Sequence, residues 1–185
     1  MSLRRRLGIA AVLLLAAAAG MALRIWLLPG PALEAVTDGA VIGDFSLPDL
    51  DGEPRKLSEF AGKTIVLNFW ASWCGPCLEE MPAFIDLQTR YQDRGVQFLG
   101  VAVDDAAAAR ELATRLKLNY PSMVGDLDAM DIARRLGNGA GVLPYTVLIG
   151  ADGRVRARLA GKADRADLEK WLKVEAAASS KKLRD

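Results

Sequence analysis

The chain has 185 residues, 51% of them hydrophobic, with 24 Lys and Arg against 23 Asp and Glu, two cysteines and no histidine. That length suits one domain of ordinary size, able to bury its own core without disulfide staples. Arg4, Arg5, Arg6 and Arg24 are the only charged residues before position 30, so the remainder carries 20 basic against 23 acidic side chains, which excludes a basic nucleic-acid-binding surface.

Residues 1–28 read as a separate unit. Arg4-Arg5-Arg6 precede an uncharged run from Leu7 to Leu23 rich in Ala and Leu, and Arg24 is followed by Ile25-Trp26-Leu27-Leu28. At a helical rise of about 1.5 Å per residue, residues 7–28 are long enough to cross a bilayer if Arg24 snorkels outward and Trp26 sits at the interface. The arginine cluster keeps the N-terminus in the cytoplasm and sends the rest across. Ala17-Ala18-Ala19 offers a rival A-x-A cleavage site, but apolar residues persist beyond it. The expectation is therefore an uncleaved signal anchor that tethers the protein to the cytoplasmic membrane on its periplasmic side. The alternative is a cleaved signal peptide and a soluble periplasmic protein. A lipoprotein is excluded, because no cysteine lies near the apolar run. Both readings export the domain, and an oxidising compartment suits a chain with one cysteine pair and no spare thiol.

Residues 29–40 read as a linker that leaves the membrane through Pro29-Gly30-Pro31-Ala32, followed by one domain over 41–178 and a polar tail over 179–185. Phe45 to Leu57 reads as a small hairpin turning at Asp51-Gly52, and Ser58 to Ala61 as a brief helical turn. Ile65 to Trp70 is an apolar run of strand length, and a helix follows from about Pro76 to Arg90. Pro82 should kink that helix without ending it, since Phe84, Leu87 and Tyr91 continue its apolar face. Val96 to Val103 reads as a strand covered on both faces. Asp104-Asp105 supplies an N-cap for a helix over Ala106 to Leu116. Tyr120 to Val124 and Asp126 to Leu136 form a further strand and helix. Pro144 to Gly150 and Arg154 to Ala160 pair as a hairpin turning at Asp152-Gly153, and Asp164 caps a closing helix through Leu168, Trp171 and Leu172. Strands alternate with helices first and pair as a hairpin later, which predicts an α/β three-layer sandwich around a mixed sheet.

Both cysteines fall in Trp73-Cys74-Gly75-Pro76-Cys77, between the Ile65–Trp70 strand and the helix after it. Pro76 suits the first helical position, where its missing N–H costs nothing. Cys74 then sits at the helix N-terminus and Cys77 one turn inside. Unpaired N–H groups and the helix dipole favour a thiolate at Cys74, making it the attacking sulfur, with Cys77 within disulfide reach to resolve the mixed disulfide.

Other chemistries compete for the same pair. A structural disulfide across so short a loop would add only about 2 kcal/mol. A zinc site needs about four N, S or O ligands, and the chain has no histidine and no third cysteine, so no metal is expected. Covalent haem attachment wants C-x-x-C-H, whereas Leu78 follows Cys77.

Trp73-Cys74-Gly75-Pro76-Cys77 matches the thioredoxin active-site pentapeptide, and Leu67 to Pro82 resembles the version carried by TlpA/ResA-like, membrane-tethered thiol-disulfide oxidoreductases. The resemblance extends from about Val41 to Leu172. It implies a thioredoxin-like sandwich with an N-terminal β-hairpin extension, found also in peroxiredoxin-like branches, and with the strand and helix at 120–136 as a central insertion.

The resemblance also assigns residues. Leu143-Pro144 matches the cis-proline that faces the dithiol, where an X-Pro bond at large is cis in only about 5–6% of cases. A cis bond there would turn the Leu143 backbone outward to pair with an extended substrate segment. Trp73, Gly75 and Pro76 complete the substrate-binding rim, with Trp70 in the core. Glu80 stands one turn after Cys77 and is the expected handler of that cysteine's proton, ahead of Glu79, which points elsewhere. Thioredoxins place a buried aspartate where this chain has Asn68, and an amide takes no proton at neutral pH. The loop Gly137-Asn138-Gly139-Ala140-Gly141 is longer than the usual lead into the cis-proline and leaves the accepted substrate surface open.

The expected function is that of an extracytoplasmic enzyme that reduces disulfides in exported proteins by dithiol exchange, needing no cofactor beyond its Cys74-Cys77 disulfide. Thioredoxin itself lies near about −270 mV, on the reducing side. Family roles include reduction of apocytochrome c and of copper-site cysteines in oxidase assembly proteins. Electrons would come from a membrane thiol donor, since no Gly-rich nucleotide fingerprint is present, and the expected state is a monomer. Two alternatives stand: a thiol peroxidase of the peroxiredoxin-like branch, and a Cu(I)-binding chaperone holding the ion between two thiolates.

Overall fold

In a computed structural model that describes residues 39–182, a five-stranded sheet carries helices on both faces and a two-stranded hairpin beside one edge. The hairpin comes first, β1 (Ser46–Pro48) pairing antiparallel with β2 (Pro54–Lys56). Its turn is built by Asp49, whose carboxylate accepts the Asp51 and Glu53 N–H groups at 2.9 and 3.0 Å. Gly52 takes φ 91° there, a left-handed conformation that glycine adopts without steric cost. A bridge from Asp49 to Met123 lays the hairpin on the sheet edge. A 3-10 turn over Leu57–Phe60 leads into the sheet.

The sheet runs in the order β5-β4-β3-β6-β7. β3 (Thr64–Trp70), β4 (Val96–Ala102) and β5 (Ser122–Val124) are parallel, while β6 (Tyr145–Ile149) opposes β3 and β7 (Val155–Ala160) opposes β6. Every residue of β3, β4, β5 and β6 is buried, as expected of strands covered on both faces. Four α-helices lie among the described residues: α1 (Gly75–Tyr91), α2 (Ala106–Leu116), α3 (Leu127–Arg135) and α4 (Arg165–Lys182).

Strand periodicity separates the two faces. Ile65, Leu67 and Phe69 of β3 join Leu99, Val101, Met123 and Ile132 on the face that carries α3 and the hairpin. Val66 points the other way, to Phe84 and Leu87 of α1 and to Leu168 and Leu172 of α4. Trp70 shares that second face, packing with Met81 of α1 and Leu112 of α2. Val66, Leu67 and Phe69 are fully removed from solvent, and each such side chain contributes about 1.5–3 kcal/mol. The result is a three-layer sandwich with β5 and α3 inserted between α2 and the terminal hairpin.

Several local details differ from the sequence reading. α1 begins at Gly75, so Pro76 occupies the second helical position rather than the first. Pro82 removes one helical N–H, yet α1 continues to Tyr91 because Met81, Phe84, Leu87 and Tyr91 bury its inner face. Asp105 alone caps α2, its carboxylate accepting the Ala107 and Ala108 N–H groups at 2.9 and 3.2 Å. β5 starts at Ser122, two residues later than expected, and α4 runs on to Lys182, into the segment expected as a tail. Among the described residues no helix is long and apolar enough to cross a membrane. The predicted anchor over residues 7–28 and most of the linker lie outside those residues.

Candidate active site

The carboxyl ends of the parallel strands β3 and β4 meet the start of β6 at one edge of the sheet, the usual location of a site in such sheets. β3 ends at Trp70, and the chain turns through Ala71 to Trp73, with the Cys74 N–H donating to the Ala71 carbonyl at 3.1 Å. Asp104, beyond the end of β4, holds that turn by accepting the Ser72 N–H at 2.6 Å. The Val103 N–H closes the same corner by donating to the Trp70 carbonyl at 2.8 Å.

Cys74 is the N-cap of α1, and its sulfur accepts the Cys77 N–H at 3.3 Å. The two cysteines form a disulfide with an S–S distance of 2.05 Å. Cys74 retains 6% exposure and Cys77 none, so Cys74 is the sulfur within reach of another molecule. The helix N-terminus and the directed N–H both favour negative charge on Cys74 when the bond is reduced. Gly75 and Pro76 are exposed beside it, and Trp73 stands 70% exposed at the rim. Trp70, in contrast, lies fully buried beneath the turn, its indole N–H donating to the Ser122 hydroxyl at 3.2 Å.

Glu80 is buried to 1% exposure on the inner side of α1. One carboxylate oxygen accepts the Asn68 amide at 2.8 Å and the other the Ala163 N–H at 2.7 Å. Burial pushes this carboxyl up to about 7, against the pull of the Ala163 N–H, the Asn68 amide and the Lys162 charge. Such a group exchanges protons near neutral pH, as an acid or base requires. Glu79 instead reaches outward to Lys162 at 2.7 Å.

Asn68 faces Glu80 because it lies between Val66 and Trp70 on the α1 side of β3. Its amide also donates to the hydroxyl of Thr146, its register partner on β6, at 3.1 Å. The side-chain Oδ1 of Asn68 and the Tyr120 hydroxyl are both buried with no hydrogen-bond partner among the described residues. Burial and the nearby Glu80 charge push the Tyr120 hydroxyl upward.

Leu143-Pro144 is a cis peptide immediately before β6. Pro144 is buried, and Leu143 is half-buried against the apolar cluster that contains Cys74 and Cys77. The Leu143 N–H and C=O make no hydrogen bond among the described residues. The structure thus brings Cys74, Cys77, Leu143 and Pro144 to one edge, with Trp73, Gly75 and Pro76 on the rim and Glu80 below.

Sequence reasoning passed over Asn68 as a donor, and also Thr146 and Ala163, and it read Asp104 only as part of a helix cap. The strand alternation around Asn68 carried a usable signal, since it sets that amide on the face of α1. Nothing local pointed to Ala163, which lies 83 residues from Glu80.

A family model described as Redoxin matches residues 37–172. The thiol-disulfide oxidoreductase ResA of Geobacillus thermodenitrificans is 35% identical over 139 residues, covering 75% of this chain and 78% of that protein. ResA of Bacillus subtilis is 29% identical over 160 residues, covering 84% of this chain and 85% of its own. The crystal structure of a Chlorobium tepidum protein assigned as the thiol:disulfide interchange protein DsbE superimposes with a TM-score of 0.69 at 27% identity, covering 78% of this chain and 99% of that one. The thioredoxin-like architecture expected from the sequence is the one these proteins share.

Proposed function

Since this chain belongs to the redoxin family and is a thiol-disulfide oxidoreductase of the ResA and DsbE type, we propose that it reduces disulfides in exported proteins on the periplasmic side of the cytoplasmic membrane. The observation that carries this reading is the Cys74–Cys77 pair at the N-terminus of α1, with Cys74 the accessible sulfur. Export is supported by Arg4-Arg5-Arg6 and the uncharged run after them.

In the proposed cycle the Cys74 thiolate attacks one sulfur of a client disulfide, and the other client sulfur leaves as a thiolate that takes up a proton. Cys77 loses its proton to Glu80 and attacks the Cys74 sulfur. The mixed disulfide breaks, the second client thiolate departs, and the Cys74–Cys77 disulfide forms. Two electrons pass from the enzyme dithiol to the client. A membrane thiol donor then restores the dithiol, as the chain carries no Gly-rich nucleotide fingerprint. Trp73, Gly75 and Pro76 contact the client beside Cys74, while the Leu143 backbone and Pro144 border it opposite. Apocytochrome c before haem attachment and oxidase assembly proteins are the client classes suggested by the resemblance.

The test is the Cys77→Ala variant of the full chain in its native membrane. It should accumulate client adducts through Cys74 that dithiothreitol releases. An absence of adducts, or the same adducts with Cys74→Ala, would contradict the proposal.

A further inference from the structure

The loop from Gly137 to Val142 has no part in the exchange cycle above, yet it is built with unusual economy of freedom. Asn138 sits in this surface loop at only 2% exposure. Its side-chain amide donates to the Val142 carbonyl at 2.8 Å, and its side-chain oxygen accepts the Val142 N–H at 3.0 Å. Its own N–H donates to the Ala133 carbonyl and its carbonyl accepts the Gly141 N–H, both at 3.0 Å. An asparagine in a turn ordinarily bonds the backbone two residues on. Here one carboxamide takes both backbone groups of a residue four positions away, as a neighbouring strand would.

The base of the loop is equally fixed. The Leu136 carbonyl accepts the Tyr145 hydroxyl at 3.0 Å and the Arg158 Nε–H at 2.6 Å, which ties the end of α3 to β6 and β7. Gly137, at φ 105°, fits where a Cβ would stand 3.0 Å from the Arg158 side chain and 3.1 Å from the Tyr145 hydroxyl.

We propose that Asn138 is a specificity-determining positioning residue, which occupies both backbone groups of Val142 so that Leu143, and not its neighbour Val142, offers its N–H and C=O to an extended client segment. The inference rests on the dithiol reading and deepens it. Leu143 packs against the cluster containing Cys74 and Cys77, so a strand paired with it passes the reactive sulfur. Val142, 41% exposed, and Trp73 give the same edge an apolar surface. The substrate class is therefore a disulfide in extended polypeptide with a free backbone N–H beside the half-cystine and apolar flanking side chains. Folded disulfides that cannot present a strand are disfavoured.

The test uses the pre-reduced full chain and three disulfides: a short apolar peptide disulfide, the same peptide N-methylated beside its half-cystine, and the small aromatic disulfide 5,5′-dithiobis(2-nitrobenzoate). Wild type should reduce the parent peptide roughly fivefold to tenfold faster than the N-methylated one, the value of one hydrogen bond. Asn138→Ala should bring that ratio close to one, slowing the parent peptide more than the aromatic disulfide. Asn138→Asp keeps the acceptor for the Val142 N–H but loses the donor to the Val142 carbonyl, and should fall between. If Asn138→Ala does not fold, the Asn138→Asp ratio decides in the same way. An unchanged ratio in the variants, equal slowing of all three disulfides, or a wild type indifferent to N-methylation would overturn the clamp. Failure of wild type to reduce even the aromatic disulfide would overturn the dithiol reading itself.

Discussion

Asn68 on β3 donates its side-chain amide to the Glu80 carboxylate on α1 at 2.8 Å, at 1% exposure on both sides. The same amide nitrogen donates to Thr146 at 3.1 Å, two residues beyond Pro144. One side chain thereby ties the helix that carries the dithiol to the strand that follows Leu143-Pro144. In an apolar interior such a link is strong when made and costly when broken.

Removing the link should therefore be felt in both stability and titration. Asn68→Ala leaves the Glu80 carboxylate with the Ala163 N–H as its remaining donor, and should cost about 1–3 kcal/mol in guanidinium unfolding. The Glu80 titration, followed by carboxyl infrared absorption, should move upward from about 7. A variant as stable as wild type with Glu80 unmoved would contradict the coupling.

The raised Glu80 titration also predicts how stability depends on pH. In the oxidised fold the carboxyl keeps its proton up to about 7, against an ordinary 4.5 for the unfolded chain. Between those values the folded state binds more protons, so the associated stability is fully present below about pH 4.5 and is lost as pH rises through about 7. The change is about 3 kcal/mol. Denaturant unfolding of oxidised wild type and Glu80→Gln across this range should show wild type losing ground by that amount as pH rises. A constant difference between them would exclude the linkage.

Kinetics should respond at the resolving step. Glu80→Gln cannot accept the Cys77 proton, and loss of a positioned base slows proton transfer by about 10²–10⁴-fold. Rapid acid quench at pH 7 should show the mixed disulfide building up in the variant, with its formation by Cys74 little changed. Equal rates of resolution in the two proteins would remove Glu80 from the proton path.

Gly100 tests the packing beneath the site. A Cβ there would stand 2.6 Å from the Ser122 hydroxyl and 2.8 Å from the Trp70 indole nitrogen. Gly100→Ala must push apart the Trp70–Ser122 hydrogen bond and should destabilise the fold by about 1–3 kcal/mol. Thermal unfolding followed by circular dichroism checks this, and an unshifted midpoint would show that the indole has room to move.

The fold was legible where local chemistry decides the outcome. Asp105 fixes the start of α2, and Lys117, at φ 54°, turns left-handed after Leu116. The Ala106–Leu116 bounds read from sequence therefore match those observed. The uninterrupted apolar runs of β3 and β4 likewise announce strands covered on both faces. Boundaries failed where the decision is tertiary. Tyr120 has strand-like chemistry but is held in the aromatic cluster with Phe98 instead of joining β5. Asp104 reads as part of a helix cap but is taken by Ser72, 32 residues away. At the site, the cysteine spacing exposed the dithiol, whereas the burial of Glu80 depends on Asn68 and Ala163 arriving from distant strands and loops. The clamp by Asn138 depends on the path of the loop, which its glycines permit but do not dictate.

The most direct test of the account is the pH dependence of thiol alkylation in the reduced full chain, resolved for each cysteine by mass spectrometry. An N-cap sulfur that accepts the Cys77 N–H at 3.3 Å should ionise first. Cys74 is predicted to titrate well below the ordinary value of about 8.5, with Cys77 following at higher pH. A Cys74 that titrates at or above about 8.5, or after Cys77, would contradict the claim that the fold makes it the attacking sulfur.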